Sequence, residues 1–174
     1  YGISKMAGFE LTRNYREAYG LFTLSGILFN HESPRRGMEF VTRKISSAGA
    51  KIKLGIEKEI RLGNLDAMRD WGHARDYVKA MWLMLQQAEP EDYVIATGKS
   101  HSVREFLETA FNYVDLGYQD YVSIDDKLYR PSDINILQGD ASKAHKKLGW
   151  KPSITFEDLI REMIESDLGR YSKK

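Results

Sequence analysis

The 174-residue chain contains no cysteine. That absence excludes disulfides, zinc–thiolate centres and cysteine nucleophiles, so its chemistry must run on oxygen and nitrogen groups. Its four prolines, at 34, 90, 131 and 152, all fall between periodic segments, so the helical patterns can run without interruption. No apolar run approaches the roughly 20 residues of a membrane-spanning helix. The start, Tyr1-Gly2-Ile3-Ser4-Lys5, lacks the apolar stretch of a signal peptide, and the cytoplasm is the expected location. Charge of one sign is lacking too: 26 Lys and Arg stand against 25 Asp and Glu, for a net +1. Such a balance gives no global reason to hold nucleic acid or a membrane surface, so an anion site must be local. No metal site, internal repeat or low-complexity segment is expected.

What is present is ample core material, 42% hydrophobic residues in a length that suits one ordinary domain. Ile3, Ala7, Leu11, Tyr15 and Ala18 recur at helical steps and predict an amphipathic helix over the first 19 residues, stopped by Gly20. Tyr1, Lys5, Gly8 and Thr12 share another stripe of that helix. Leu21–Phe29 reads as a buried strand, and in an open α/β sheet the loop after it, Asn30 to Gly37, sits where ligands gather. Further helices are predicted over Met38–Ser47, His73–Gln87, from the capping box Ser102-Val103-Arg104-Glu105, from Asp140 to Gly149, and from Thr155 onward. Lys51–Leu62 reads as two short strands around Gly55, Asp66–Gly72 as a polar loop, and Tyr93–Ala96 and Tyr121–Ile124 as strands.

Four groupings carry candidate chemistry. A tyrosine four residues before a lysine on one helix face lets the ammonium favour the phenolate, making Tyr1 a base and Lys5 its tuning partner. The plain alternative is two solvated side chains. Arg35, Arg36, Arg43, Lys44, Lys51 and Lys53 stand against one acid, Glu39, which suits a diphosphate as well as it suits a basic solvent face. His31 either meets a ligand or fixes its loop. In Arg69-Asp70-Trp71-Gly72-His73-Ala74-Arg75-Asp76, Arg69 is the candidate ligand contact, while Asp70 or Asp76 can cap backbone amides. Arg130-Pro131-Ser132-Asp133 is either an arginine on phosphate with an acid on a ribose hydroxyl or a surface turn.

Taken together, several segments resemble the carboxyl half of the extended short-chain dehydrogenases/reductases, and within them the GDP-mannose 4,6-dehydratase family. They are Tyr1-Gly-Ile-Ser-Lys5, Gly26-Ile-Leu-Phe-Asn-His-Glu-Ser-Pro-Arg-Arg-Gly37, Val41-Thr-Arg-Lys-Ile45, Leu62-Gly-Asn64, Arg69-Asp-Trp-Gly-His-Ala74 and Ala141-Ser-Lys-Ala144 with Leu148-Gly-Trp150. The resemblance covers nearly the whole chain. It implies an α/β fold, with residues 1–37 closing a dinucleotide-binding Rossmann domain and residues 38–174 forming mainly the smaller sugar-nucleotide domain.

The family's roles fall on residues of this chain. Tyr1 and Lys5 match the catalytic base and its partner, which also contact NADP. His31 and Arg36 match further cofactor contacts. Asn30, Lys44, the Gly63-Asn64 turn, Arg69, Arg130 and Asp133 match contacts to the GDP part of GDP-mannose. The implied assembly is a homo-oligomer. The chain departs from the family by having no Gly-x-x-Gly-x-x-Gly loop and no Thr–Glu pair ahead of Tyr1, so the isolated chain is expected to be inactive and prone to association. Two other readings stand beside this one: another nucleotide-sugar epimerase or dehydratase, and a non-catalytic nucleotide-sugar binding module.

Overall fold

The computed structural model describes residues 1–129 and 134–173. Arg130 and Asp133 lie outside the described residues. Helix α1 (Gly2–Tyr19) ends where Gly20 adopts the left-handed conformation, φ 63°, and its N–H returns to the Arg16 carbonyl. This end is the one the sequence predicts. The helix contributes no buried residue, however, and the apolar stripe that predicts a packed face lies open, with Leu11 58% exposed. Only its last turns are tied down. Arg16 donates two hydrogen bonds to the Asp92 carboxylate, at 2.9 and 2.8 Å, and the Thr23 hydroxyl donates to the Thr12 carbonyl.

Strands β1 (Gly26–Leu28) and β2 (Asn30–Glu32) follow, separated by Phe29. The expected long buried strand over 21–29 is therefore short, and Leu21, Phe22 and Ile27 are exposed. Helix α2 (Val41–Lys53) begins three residues later than expected and runs through Lys51 and Lys53, which were expected in a strand. Its apolar spacing explains the difference, because Ile45, Ala48 and Ile52 continue one buried stripe past Ser47. Between Lys51 and Leu62 only β3 (Ile60–Leu62) is strand. The expected polar loop at 66–72 holds β4 (Met68–Arg69) and the start of β5 (Trp71–His73).

Helix α3 (Ala74–Leu85) leads to β6 (Tyr93–Ile95), and β7 (His101–Ser102) leads to α4 (Val103–Tyr113) through the predicted capping box, with both reciprocal bonds made. Then come β8 (Val122–Ile124), β9 (Ile136–Leu137), α5 (Ser142–Leu148), stopped at Gly149, and α6 (Phe156–Tyr171), capped by Thr155. The expected cap at Asp140 shifts by one residue: Ala141 occupies the N-cap position, while the Asp140 carboxylate accepts from the Ser142 N–H.

The fold is α/β. β1 pairs with β6, β2 with β5 and β3 with β8, all in parallel. A three-stranded sheet runs β7-β4-β9. The core divides in two: α2, α4 and α6 close over Leu62, Trp71, Phe106 and Phe111, while α3 and α5 close over Tyr93, Ile95 and Trp150. Among the described residues no helix is long and apolar enough to cross a membrane, and no cluster of His, Asp or Glu is placed to hold a metal.

Candidate functional site

A cleft of about 330 Å³ opens where β2, the start of α2, the β3 turn and β4–β5 meet. Strand alternation places its first wall, since Asn30 and Glu32 share one face of β2 and both line the cleft. The start of α2 supplies the second, through Phe40, Val41, Thr42 and Lys44. After β3 the chain turns tightly at Gly63-Asn64. A side chain at Gly63 would put its Cβ 2.9 Å from the Leu128 carbonyl oxygen, so glycine is what lets this edge close. Arg69 and Trp71 line the remaining side, two residues apart on the same face.

The residue between them faces the other way. Asp70 is fully buried, and its carboxylate accepts from the Thr97 N–H (2.8 Å) and hydroxyl (2.6 Å), the Gly98 N–H (2.9 Å) and the Gly139 N–H (3.2 Å). Asp76 does the same for the approach to α6, accepting from Ser153 N–H and hydroxyl and from Ile154 N–H. Both acids therefore cap main-chain amides, and Asp70 holds the segment that presents Arg69. Arg69 itself donates to the carbonyls of Met68 and Ile134.

The basic run from Arg35 to Lys53 does not act as one surface. Arg43 is 1% exposed and pairs with buried Asp167 of α6, joined there by the Ser46 hydroxyl. Lys51 pairs with Glu57, Lys53 with Asp115, and Arg36 stands against Glu32. Lys44, exposed between buried Arg43 and Ile45, is the member of the run that lines the cleft. Helical geometry dispersed the cluster, because neighbours in sequence point in directions about 100° apart.

Five residues expected to touch substrate, Asn30, Lys44, Gly63, Asn64 and Arg69, thus converge on one cleft. The residues expected to touch cofactor are elsewhere. Tyr1 is 94% exposed, with the Lys5 ammonium 5.4 Å from its ring centroid. The His31 ring is engaged inside the fold, with Nδ1 2.9 Å from the Phe29 carbonyl and the imidazole stacked on Tyr77. Burial pushes the Tyr77 phenol up, with the nearby carboxylates of Asp70, Glu32 and Asp76 adding to it. The Arg36 guanidinium lies 3.4 Å from the Phe40 ring centroid, directly behind the cleft wall.

Sequence reasoning passed over Glu32, Thr42 and Trp71. The period-two rule applied from Asn30 and from Arg69 would have found the first and the last.

A family profile described as GDP-mannose 4,6 dehydratase matches residues 1–163. GDP-mannose 4,6 dehydratase 2 of Arabidopsis thaliana is 58% identical over 97% of this chain and 45% of its own length. The human GDP-mannose 4,6 dehydratase is 52% identical over 97% of this chain and 50% of its own length. The chain thus spans about half the length of the curated relatives it matches. Among solved structures, RMD from Pseudomonas aeruginosa complexed with NADPH superposes with a TM-score of 0.90 at 24% identity, over 98% of this chain and 56% of that one. At that identity the likeness speaks for the fold alone. With the profile matching most of its residues, the chain belongs to the GDP-mannose 4,6 dehydratase family.

Proposed function

We propose that this chain carries the substrate-binding half of an NADP-dependent GDP-mannose 4,6-dehydratase, a lyase that converts GDP-mannose to GDP-4-keto-6-deoxymannose. The observation that carries the reading is the convergence of Asn30, Lys44, Gly63, Asn64 and Arg69 on one cleft, in a chain of that family. Lys44 and Arg69 bring positive charge to a diphosphate, with Asn30 donating beside them. The Gly63-Asn64 turn receives the nucleoside end. In the same reading Arg130 holds diphosphate and Asp133 a ribose hydroxyl.

The fit to NADP rests on α1. Its Tyr1–Lys5 pair is on one face, and a Cβ at Gly8 would meet nothing within 4 Å, so a flat ring or ribose has room to approach. Arg36 is the second proposed contact, and His31 the third, though its ring is already occupied by Phe29 and Tyr77. NADP, when bound, supplies the hydride acceptor and donor. Tyr1 takes the proton of the sugar 4-hydroxyl, and the Lys5 charge favours the phenolate that does so. The cleft residues hold the GDP part fixed while the sugar reacts. No residue of this chain is assigned to removing the C5 proton or cradling the cofactor pyrophosphate, and the chain spans about half the length of its relatives. A homo-oligomer is the proposed state of the complete protein, in a cytoplasmic setting, and light scattering tests the first part.

The test is the complete gene product incubated with GDP-mannose and NADP. A product lighter by one water is expected, and Tyr1→Phe should lower turnover by about 10²-fold or more while GDP still binds. Tighter binding of UDP-glucose than of GDP-mannose would transfer the reading to another nucleotide-sugar enzyme. Binding with no turnover by the complete protein would favour a binding module.

A further inference from the structure

Glu32 is 1% exposed, yet its side chain borders the cleft two residues from Asn30 on the same strand face. A carboxylate removed from water in this way must be paired to stay charged. Its Oε2 accepts a 2.6 Å hydrogen bond from the Thr42 hydroxyl and stands 3.1 Å from Arg36 Nε. Burial pushes the Glu32 carboxyl up, while Thr42 and then Arg36 pull it back. Both partners stand on the α2 side of the cleft, opposite the strand that bears Glu32. Arg36 lies over Phe40, the N-cap residue of α2, and Thr42 sits in the first turn of α2, two residues before Lys44.

The start of α2 also needs an anion. Phe40 offers no side-chain cap, and the first turn holds no acid. A negative charge near those unpaired N–H groups is favourable, and Glu32 brings one from the neighbouring strand. A single carboxylate thus connects the strand bearing Asn30, the loop bearing Arg36 and the helix bearing Lys44.

We infer that Glu32 is a positioning residue of this cleft: it fixes Arg36 and the first turn of α2 together, so that Asn30 and Lys44 present one wall to the nucleotide. The inference rests on reading the cleft as the nucleotide-sugar site, and it assigns Glu32 no contact with the reacting atoms. Loss of its charge leaves the half-buried Arg36 guanidinium against a neutral group and frees the start of α2.

Calorimetry with GDP as probe on the complete gene product tests this without depending on which sugar is turned over. Glu32→Gln should weaken GDP binding by about tenfold, through loss of the negative charge that stands against Arg36 and that Thr42 hydrogen-bonds. Thr42→Val, which keeps the carboxylate and the fold, should weaken GDP binding by several-fold, and the double variant should bind no worse than Glu32→Gln alone. With GDP-mannose, KM should rise while kcat stays within about threefold. Unchanged GDP affinity with a lowered melting temperature would reduce Glu32 to a structural group and overturn the inference. So would additive effects, or a collapse of kcat at unchanged KM. If Glu32→Gln does not fold, Thr42→Val alone decides. Wild-type protein that binds GDP but leaves GDP-mannose unaltered would sink the dehydratase reading and leave this one standing.

Discussion

Helices α1 and α2 carry similar sequence signals and meet opposite fates. Each has an apolar stripe at helical spacing, and each bears residues assigned to the site. α2 buries nine of its thirteen residues against α4 and α6, while α1 buries none. The difference lies in partners rather than propensity, because most helical stability in a protein comes from packing an amphipathic face. The consequence reaches the site. Lys44 is presented by a helix fixed on several sides, whereas Tyr1 and Lys5 sit at the free end of a helix anchored by Arg16 fifteen residues away.

Removing one partner of the buried Arg43–Asp167 pair should give the largest effect. Arg43→Met leaves Asp167 charged and buried without its guanidinium, at a cost of about 3–5 kcal/mol in urea unfolding. Adding Asp167→Leu should recover much of that loss, since replacing a whole buried pair with apolar groups is often neutral. On α1 the matching change, Arg13→Ala, breaks only exposed pairs to Glu10 and Glu17 and should cost under about 0.5 kcal/mol. Equal costs for the two would end the contrast. Gly63→Ala comes next. Its Cβ must push the Leu128 carbonyl aside, which should cost about 1–3 kcal/mol and weaken GDP binding in calorimetry.

Four helix ends were legible, because Gly20, Ser102 and Thr155 satisfy backbone groups by local chemistry and Gly149 takes the left-handed conformation that stops α5. Strand lengths were not. Leu21 to Phe29 reads as a buried strand from apolar content, but burial depends on what lies across the sheet, and no local signal encodes that. In the site, the gathering of Asn30, Gly63, Asn64 and Arg69 around one cleft was legible because their motifs are specific, although the strands that hold Asn30 and Arg69 were read as loops. The basic run misled, since counting charge along the chain ignores that Arg43 points into the core and Lys44 away from it. Glu32 was missed because its partners come from a different element, and only the folded chain brings Thr42 to it.

The anchor of α1 should yield only to strong acid. The Arg16 guanidinium holds the Asp92 carboxyl below the ordinary carboxylate range, helped by the Ser25 N–H. A carboxyl with a depressed folded pKa adds stability that is fully present above its unfolded pKa and is lost as pH falls through the folded value. The window therefore opens at about pH 3.8 and extends below it. Hydrogen exchange across Thr12–Tyr19 should rise in that window. Asp92→Asn should show the same exposure at neutral pH, with a stability loss of about 1 kcal/mol. Unchanged protection in the variant would mean that other contacts hold α1.

The smallest expected effect is the most informative about α1. Ile3 and Leu11 are 89% and 58% exposed, so Ile3→Ser and Leu11→Ser remove little buried area from this chain. Their cost in the 174-residue polypeptide should stay within about 0.5 kcal/mol, the range of surface substitutions. The same pair in the complete gene product separates two explanations of the bare stripe. If the stripe is solvated there as well, the cost stays small and Tyr1 moves with a loosely held helix. A cost of about 2 kcal/mol or more, as for truncating buried Leu or Ile, would mean that the stripe is packed in the complete protein. In that case α1 and α2 differ in which chain segments cover them, and Tyr1 is held as firmly as Lys44.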